Sequence, residues 1–116
     1  MASEKLTWSA VQNNDRIALQ LAGELSRDTL LPLWKDWNGQ QRFAVLNASQ
    51  IANQQVIWDL SQLSRMDSVG FALFSELLHD MQKIAASQTI ENAPDELRTL
   101  AELFDLDGWL TPFIKL

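Results

Sequence analysis

Near the N-terminus, Leu6, Trp8 and Ala10 alternate with Lys5, Thr7 and Ser9. After Asn13-Asn14-Asp15 the alternation resumes at Ile17, Leu19 and Leu21. Two period-two runs joined by Asn and Asp predict an antiparallel hairpin with one buried face. Gly23 is the expected end of its second strand. In "SRDTLLPLWKDW", Ser26 or Asp28 can cap a helix, and Leu30, Leu31, Leu33, Trp34 and Trp37 recur at helical spacing. Pro32 suits the first turn, so the pattern predicts a helix over about 28–37.

Between Asn38 and Gln54 the apolar residues Phe43, Val45, Leu46 and Ile51 fit neither template, and the expectation is an irregular prolongation of that helix. Gln55 to Leu60, "QVIWDL", is a short and nearly continuous apolar run bounded by polar residues, which predicts a central strand buried on both faces. Ser61 to Asp67 is expected to be a loop. From Ser68 the stripe Leu73, Phe74, Leu77, Leu78, Met81, Ile84, Ala85 predicts a long amphipathic helix ending near Ser87. Its outward face carries Glu76, His79, Asp80, Gln82 and Lys83.

A short strand is expected over Gln88 to Glu91. Pro94 then opens a helix with Asp95 and Glu96 in its first turn, where acidic groups favour the dipole, and Leu97, Leu100, Ala101, Leu103 and Phe104 are its expected buried stripe. After Gly108, a stop signal, Phe113 to Leu116 reads as a last edge strand or a packed extension. The order strand, strand, helix, strand, helix, strand, helix, tail implies an α/β fold: one mixed sheet covered by helices mainly on one side, in a single domain over 1–116.

Composition narrows what such a domain can do. With 47% hydrophobic residues, 116 residues furnish one core. Nine Lys and Arg against 15 Asp and Glu leave a charge of -6, which repels nucleic acid and anionic membrane surfaces. The absence of cysteine excludes disulfides, thiolate metal sites and Cys nucleophiles, so stability rests on packing. The N-terminus lacks a signal-peptide pattern and no run reaches 18 apolar residues, so the expectation is a soluble cytoplasmic protein. Trp8, Trp58, Trp34 and Trp37 fall in strand or helix patterns, and core packing is expected to account for at least three of them; Trp109 is less determined, and a chain this short leaves little room for a lipid cavity.

The polar turn at the start of the long helix, "SRMDSVGFALF", concentrates the candidate chemistry. Ser68 is placed to be an N-cap, its hydroxyl accepting a backbone N–H for about 1 kcal/mol. Asp67 reads as a turn former that can cap the loop or orient Ser68. Gly70 permits close packing against a neighbouring element or a partner, and Val69 and Phe71 read as an exposed apolar patch. Enzyme readings fail on spacing. On one helix Ser68 and His79 stand roughly 16 Å apart, too far for a dyad. His79 has no second histidine for a metal cluster, the four glycines are scattered, and there is no nucleophile elbow. Asp59, at the end of the expected central strand, lacks the acidic pair and the later lysine that a phosphoacceptor aspartate of the response-regulator kind would need. No cofactor is expected.

The buried strand running into "WDLSQLSRMDSVGFALF", with "LAGELSRDTLLPLW" before it and "DELRTLAELFDLDGWL" after it, resembles the STAS domains, the anti-sigma-factor antagonist fold. Within that family the likeness is to the STAS subunits of phospholipid ABC transporters of Gram-negative bacteria. The resemblance implies a non-enzymatic subunit that binds and stabilises or regulates a cytoplasmic ATPase subunit, alongside permease and lipid-binding subunits, and so serves outer-membrane lipid asymmetry. It would be peripheral to the inner membrane through its partners. Asp67, Ser68, Val69, Gly70 and Phe71 would form the partner-binding site. The alternative implied by the same family is an anti-sigma-factor antagonist in which phosphorylation of Ser68 switches partners; a phosphate there would add about -1.5 to -2 charges at a helix start. The bulky Val69 beside Ser68 favours the interface reading.

Overall fold

The computed structural model describes residues 4–38 and 51–115. The hairpin forms as the alternation predicts: β1 (Thr7–Asn13) pairs antiparallel with β2 (Arg16–Leu25) from Asn13↔Arg16 to Thr7↔Ala22. Asn14 takes the turn's left-handed conformation at φ 53°, which asparagine tolerates better than most side chains. Strand β2 does not end at Gly23. It runs on to Leu25 because Gly23, at φ +92°, absorbs a register shift against the next strand, and its missing side chain lets the Lys5 carbonyl lie where a Cβ would stand.

The next strand, β3 (Gln55–Met66), pairs parallel with β2 on one side and with β4 (Ser87–Glu91) on the other, giving the order β1-β2-β3-β4. It is central as expected, with two corrections. Its residues alternate, Val56, Trp58 and Leu60 buried and Gln55, Ile57 and Asp59 half-buried, so one face is buried rather than both. The expected loop from Ser61 onward is strand as far as Met66. Exposed Ser61, Gln62, Ser64 and Arg65 hide this from a hydrophobicity pattern, while Gly23↔Leu63, Glu24↔Arg65 and Leu25↔Met66 pair with the extension of β2.

Helix α1 (Leu31–Asn38) starts later than expected, because Ser26 to Thr29 form a hydrogen-bonded turn in which the Thr29 and Leu30 N–H groups donate to the Ser26 carbonyl. The expectation for the segment before Gln54 falls largely on 39–50, outside the described residues; Ile51 is buried. Helix α2 (Ser68–Gln82) ends before the expected Ser87, and α3 (Asp95–Leu103) follows Pro94. Gly108 lies inside a short helix, α4 (Asp107–Leu110), rather than at a stop. After a 3-10 turn (Thr111–Phe113), Ile114 bridges Ile90 and the Lys115 N–H donates to the Ile90 carbonyl, so the tail covers the outer edge of β4.

One face of the sheet, with Ile17, Leu19, Leu21, Val56, Trp58, Leu60 and Ile90, meets the helices, and Arg16 and Ala18 are exposed on the other. Trp58 packs edge-on against Phe74 of α2, ring centroids 5.4 Å apart. Its indole N–H donates to Gln88 Oε1 at 2.9 Å, and Gln88 Nε2 donates to the Leu78 carbonyl at 2.9 Å, so the buried donor is paired and strand β4 is tied to α2. Trp37, also buried, donates to Asp80 Oδ2 at 2.9 Å and fastens α1 to α2. Trp34 of the same helical stripe is exposed, because α1 turns only Leu33 and Trp37 fully inward, while Trp8 packs against the core that contains Trp37 and Trp58.

Gly70 shows how closely α2 lies on the sheet. A Cβ there would stand 2.0 Å from the Leu25 carbonyl oxygen, a backbone atom at the end of β2 that cannot step aside without moving the strand. Gly70→Ala is expected to cost at least about 3 kcal/mol, read as a lowered urea midpoint, and an unchanged midpoint would refute the close approach.

On the open face, Asp59 accepts from the Ser61 N–H at 3.0 Å, Asn92 Nδ2 at 3.1 Å and Gln20 Nε2 at 3.2 Å. These bonds, the backbone one first, hold its carboxyl below the ordinary 3.8 against the opposing effect of burial. A group with a depressed folded pKa contributes stability that is present above the unfolded pKa and is lost as pH falls through the folded one. The stability difference between wild type and Asp59→Asn is therefore expected to be largest near neutral pH and to shrink below about pH 4, measured by urea denaturation across a pH series.

Candidate functional site

The turn at the start of α2 is built by Asp67. Its Oδ1 accepts the Gly70 N–H at 2.8 Å, which makes Asp67 the N-cap; Ser68 is the first residue of the helix and not its cap, contrary to the sequence expectation. The reason is register: the strand holds Asp67 extended at φ -101° and ψ -179°, the conformation a cap requires, one residue earlier than the apolar stripe suggested. The second carboxylate oxygen of Asp67 accepts the Arg27 N–H at 3.1 Å, and the Asp67 N–H donates to the Leu25 carbonyl at 3.3 Å. One side chain thus clamps the turn after β2 to the start of α2.

The turn after β2 has its own scaffold. Glu24 is buried, accepts the Ser26 hydroxyl at 2.6 Å and lies 3.6 Å from Arg65 Nη1, a guanidinium that stays mostly in solvent. Thr29 Oγ1 donates to the Glu24 carbonyl at 2.6 Å and accepts the Ser26 N–H at 3.0 Å. On the neighbouring side, Glu96 of α3 accepts the Met66 N–H at 3.2 Å and seats α3 beside the end of β3. The sequence motif "GELSRDT" is accordingly a rigid shelf next to the Ser68 turn, with Arg27 and Asp28 exposed on it.

The five residues singled out by sequence therefore divide. Ser68 and Val69 are exposed, Val69 by 40%. Asp67 positions the turn, and Gly70 is buried against Leu25. Phe71, expected in the exposed patch, is only 2% exposed; it points into the core and stacks on Phe104 with ring centroids 5.8 Å apart and planes 14° from parallel. Leu103 and Phe104, which the sequence had placed in the buried stripe of α3, are instead 72% and 48% exposed, and it is Phe104 that lies over Phe71. The helix ends at Leu103, and Asp105 takes the left-handed conformation at φ 59°, so the residues at the end of the stripe leave the core. Spacing along the chain carries no signal for that reversal.

Further along α2, Ala72, Ser75, Glu76 and His79 form one wall of an open groove of about 350 Å3 whose opposite wall is Leu106 and Trp109. His79 is exposed there, eleven positions from Ser68 on the same helix, and the two share no site. Among the described residues no group of three or more His, Asp or Glu side chains is placed to hold a metal ion, and no helix is long and apolar enough to cross a membrane. The start of α2 thus raises a hydroxyl and an isopropyl group on a turn held by Asp67, beside the charged shelf and with Phe104 stacked on Phe71 one turn along.

Residues 9–115 match the model of the STAS domain family. The chain is 44% identical over 109 residues to the intermembrane phospholipid transport system binding protein MlaB of Haemophilus influenzae, covering 94% of this chain and 99% of that protein. It is 36% identical over 110 residues to the protein of the same name from Escherichia coli, covering 95% and 98%. Among solved structures it is similar to the anti-sigma factor antagonist SpoIIAA in its unphosphorylated form, with a TM-score of 0.60 at 18% identity over 94% of this chain and 86% of that one. The phosphorylated form of SpoIIAA, described as a Bacillus cell fate determinant, gives 0.62 at 18% identity over 94% and 89%. A four-stranded mixed sheet with Asp67, Ser68 and Gly70 at the start of its second helix, matched over nearly its whole length, makes this chain a member of the STAS domain family.

Proposed function

We propose that this protein is the STAS subunit of an intermembrane phospholipid transport system, docking through the start of α2 onto the cytoplasmic ATPase subunit of the transporter, a protein of the MlaF type. The near full-length likeness to MlaB carries the reading. The geometry agrees with a binding role: Asp67 and Gly70 hold the turn, which leaves Ser68 and Val69 to meet a partner, with the exposed Phe104 stacked on Phe71 one turn along. In this reading the domain catalyses nothing. It stabilises or regulates the ATPase, sits at the inner membrane only through its partners, and contributes to outer-membrane lipid asymmetry through the transporter's own permease and lipid-binding subunits.

Ser68 then acts as a small polar contact at a helix N-terminus, and a phosphate on it would place a dianion where Val69 is desolvated against the partner. The bonds that fix the turn come from Asp67, so a change at Ser68 or Val69 alters the surface and leaves the turn intact.

Coexpression with the ATPase subunit encoded in the same genome tests the proposal. Wild type is expected to copurify in a stable complex, and Val69→Asp is expected to weaken binding by about 2 kcal/mol, roughly thirtyfold, with Phe104→Ala costing about 1 kcal/mol. Because Val69 is substantially exposed, thermal unfolding of the isolated Val69→Asp variant should stay close to wild type, whereas Phe104→Ala uncovers Phe71 and should lower the midpoint modestly. Absence of a complex, or unimpaired binding by Val69→Asp, overturns the proposal; stoichiometric phosphate on Ser68 in cells, with loss of a partner, would replace it by a phosphorylation switch.

A further inference from the structure

Among the described residues the buried polar ones are Glu24 and Ser26, 6% and 2% exposed, and they touch each other. A carboxylate taken out of water carries a desolvation cost that an apolar side chain of similar volume avoids. What that cost supports is visible in the contacts of Glu24.

Glu24 holds both ends of the turn after β2. Its Oε2 accepts the Ser26 hydroxyl at 2.6 Å, which fixes the hydroxyl rotor and leaves the Ser26 oxygen to accept the Asp28 N–H at 3.2 Å. Its backbone carbonyl accepts the Thr29 hydroxyl at 2.6 Å, and Thr29 Oγ1 accepts the Ser26 N–H at 3.0 Å. Between these held ends stands Arg27, whose N–H meets Asp67 Oδ2 at 3.1 Å, while Asp67 Oδ1 takes the Gly70 N–H at 2.8 Å. A short path of hydrogen bonds, with one peptide link from Ser26 to Arg27, thus leads from a buried carboxylate in β2 to the first turn of α2.

From this we infer that Glu24 is a positioning residue for the docking surface: its carboxylate sets the turn over 26–29, the turn aims the Arg27 N–H at Asp67, and Asp67 sets the pose of Ser68 and Val69. The inference rests on the reading that the start of α2 docks the ATPase subunit, and it names the side chain that prepares that surface from beneath. The bond to Ser26 matters more here than the ion pair. Arg65 Nη1 lies 3.6 Å from Glu24 Oε1 on a side chain that is 64% exposed, a geometry in which solvent screens most of the attraction. A carboxylate that merely filled space could be exchanged for methionine with no effect on the turn. A positioning one can be exchanged only for a side chain that still accepts from Ser26, as glutamine does.

Amide hydrogen exchange of the isotope-labelled full chain, read residue by residue, together with binding to the coexpressed ATPase subunit, tests this role. In Glu24→Met the Arg27 and Gly70 N–H groups should exchange about tenfold faster than in wild type, beyond any change at Trp58, and binding should weaken by about tenfold, the equivalent of one lost hydrogen bond. Trp58 sits in the central strand and reports the opening of the whole sheet, so the comparison removes a general loss of stability. Glu24→Gln should return both readouts to wild type. Ser26→Ala removes the hydroxyl and leaves the carboxylate; it should reproduce Glu24→Met, and it decides the matter if that variant fails to fold. Exchange at Arg27 and Gly70 that rises no more than at Trp58 overturns the inference. So does unchanged binding while those amides exchange faster, or a Glu24→Gln variant that behaves like Glu24→Met. A wild type that binds no ATPase subunit overturns the docking reading and this role with it, and is told apart from the other outcomes because the exchange measurement needs no partner.

Discussion

The carboxylate of Asp67 and the absent side chain of Gly70 together set the distance between sheet and helix on which the rest of the molecule depends. Asp67 caps α2 with one oxygen and takes the Arg27 N–H with the other, while Gly70 lets the helix come down onto the Leu25 carbonyl. If either contact were longer, α2 would lift from the sheet, and Phe74, Leu77, Leu78 and Met81 would lose their seats against β2 and β3. The turn after β2 and the start of α2 are neighbours in space although far apart in sequence, and a charge-assisted hydrogen bond to a backbone N–H makes them one rigid unit.

Within that frame the buried polar groups of Trp58, Trp37 and Glu24 are matched. The indoles of Trp58 and Trp37 enter the core because Gln88 and Asp80 meet their N–H groups, and in doing so they tie β4 and α1 to the central helix. Glu24 is tolerated inside because Ser26 donates to it and Arg65 lies close. A buried carboxylate without those partners would carry a large desolvation cost. The same interactions stiffen the shelf beside Ser68, so a surface made of few side chains is presented in one conformation and little ordering entropy is lost when a partner binds it.

The likeness to SpoIIAA at 18% identity shows that this fold persists through extensive replacement of its residues. What differs between such domains is therefore to be sought on the surface rather than in the sheet. Here that surface has two separate parts. One is the helix start with Ser68 and Val69, fixed by the polar clamp beneath it, and Phe104 over Phe71. The other is the edge of β1, with whose outer side no strand pairs among the described residues, while the chain's tail covers the opposite edge.

The sequence by itself determined the hairpin, the placing of the helices around a central strand, the single core and the position of the turn at Asp67 to Gly70, because each is written in local periodicity and in turn chemistry. It failed where a residue's fate depends on a distant neighbour. The extension of β3 through polar Ser61 to Arg65 exists because β2 continues past Gly23 to pair with it. The capping role passed from Ser68 to Asp67 because the end of β3 holds Asp67 extended. Phe71 and Phe104 exchanged places, one expected outside and found inside, the other the reverse, because α3 ends at Leu103 and lays Phe104 over Phe71. A helical stripe gives the side on which a residue lies, but which end of that stripe is covered is decided by the element that packs across it, and that is a property of the tertiary structure alone.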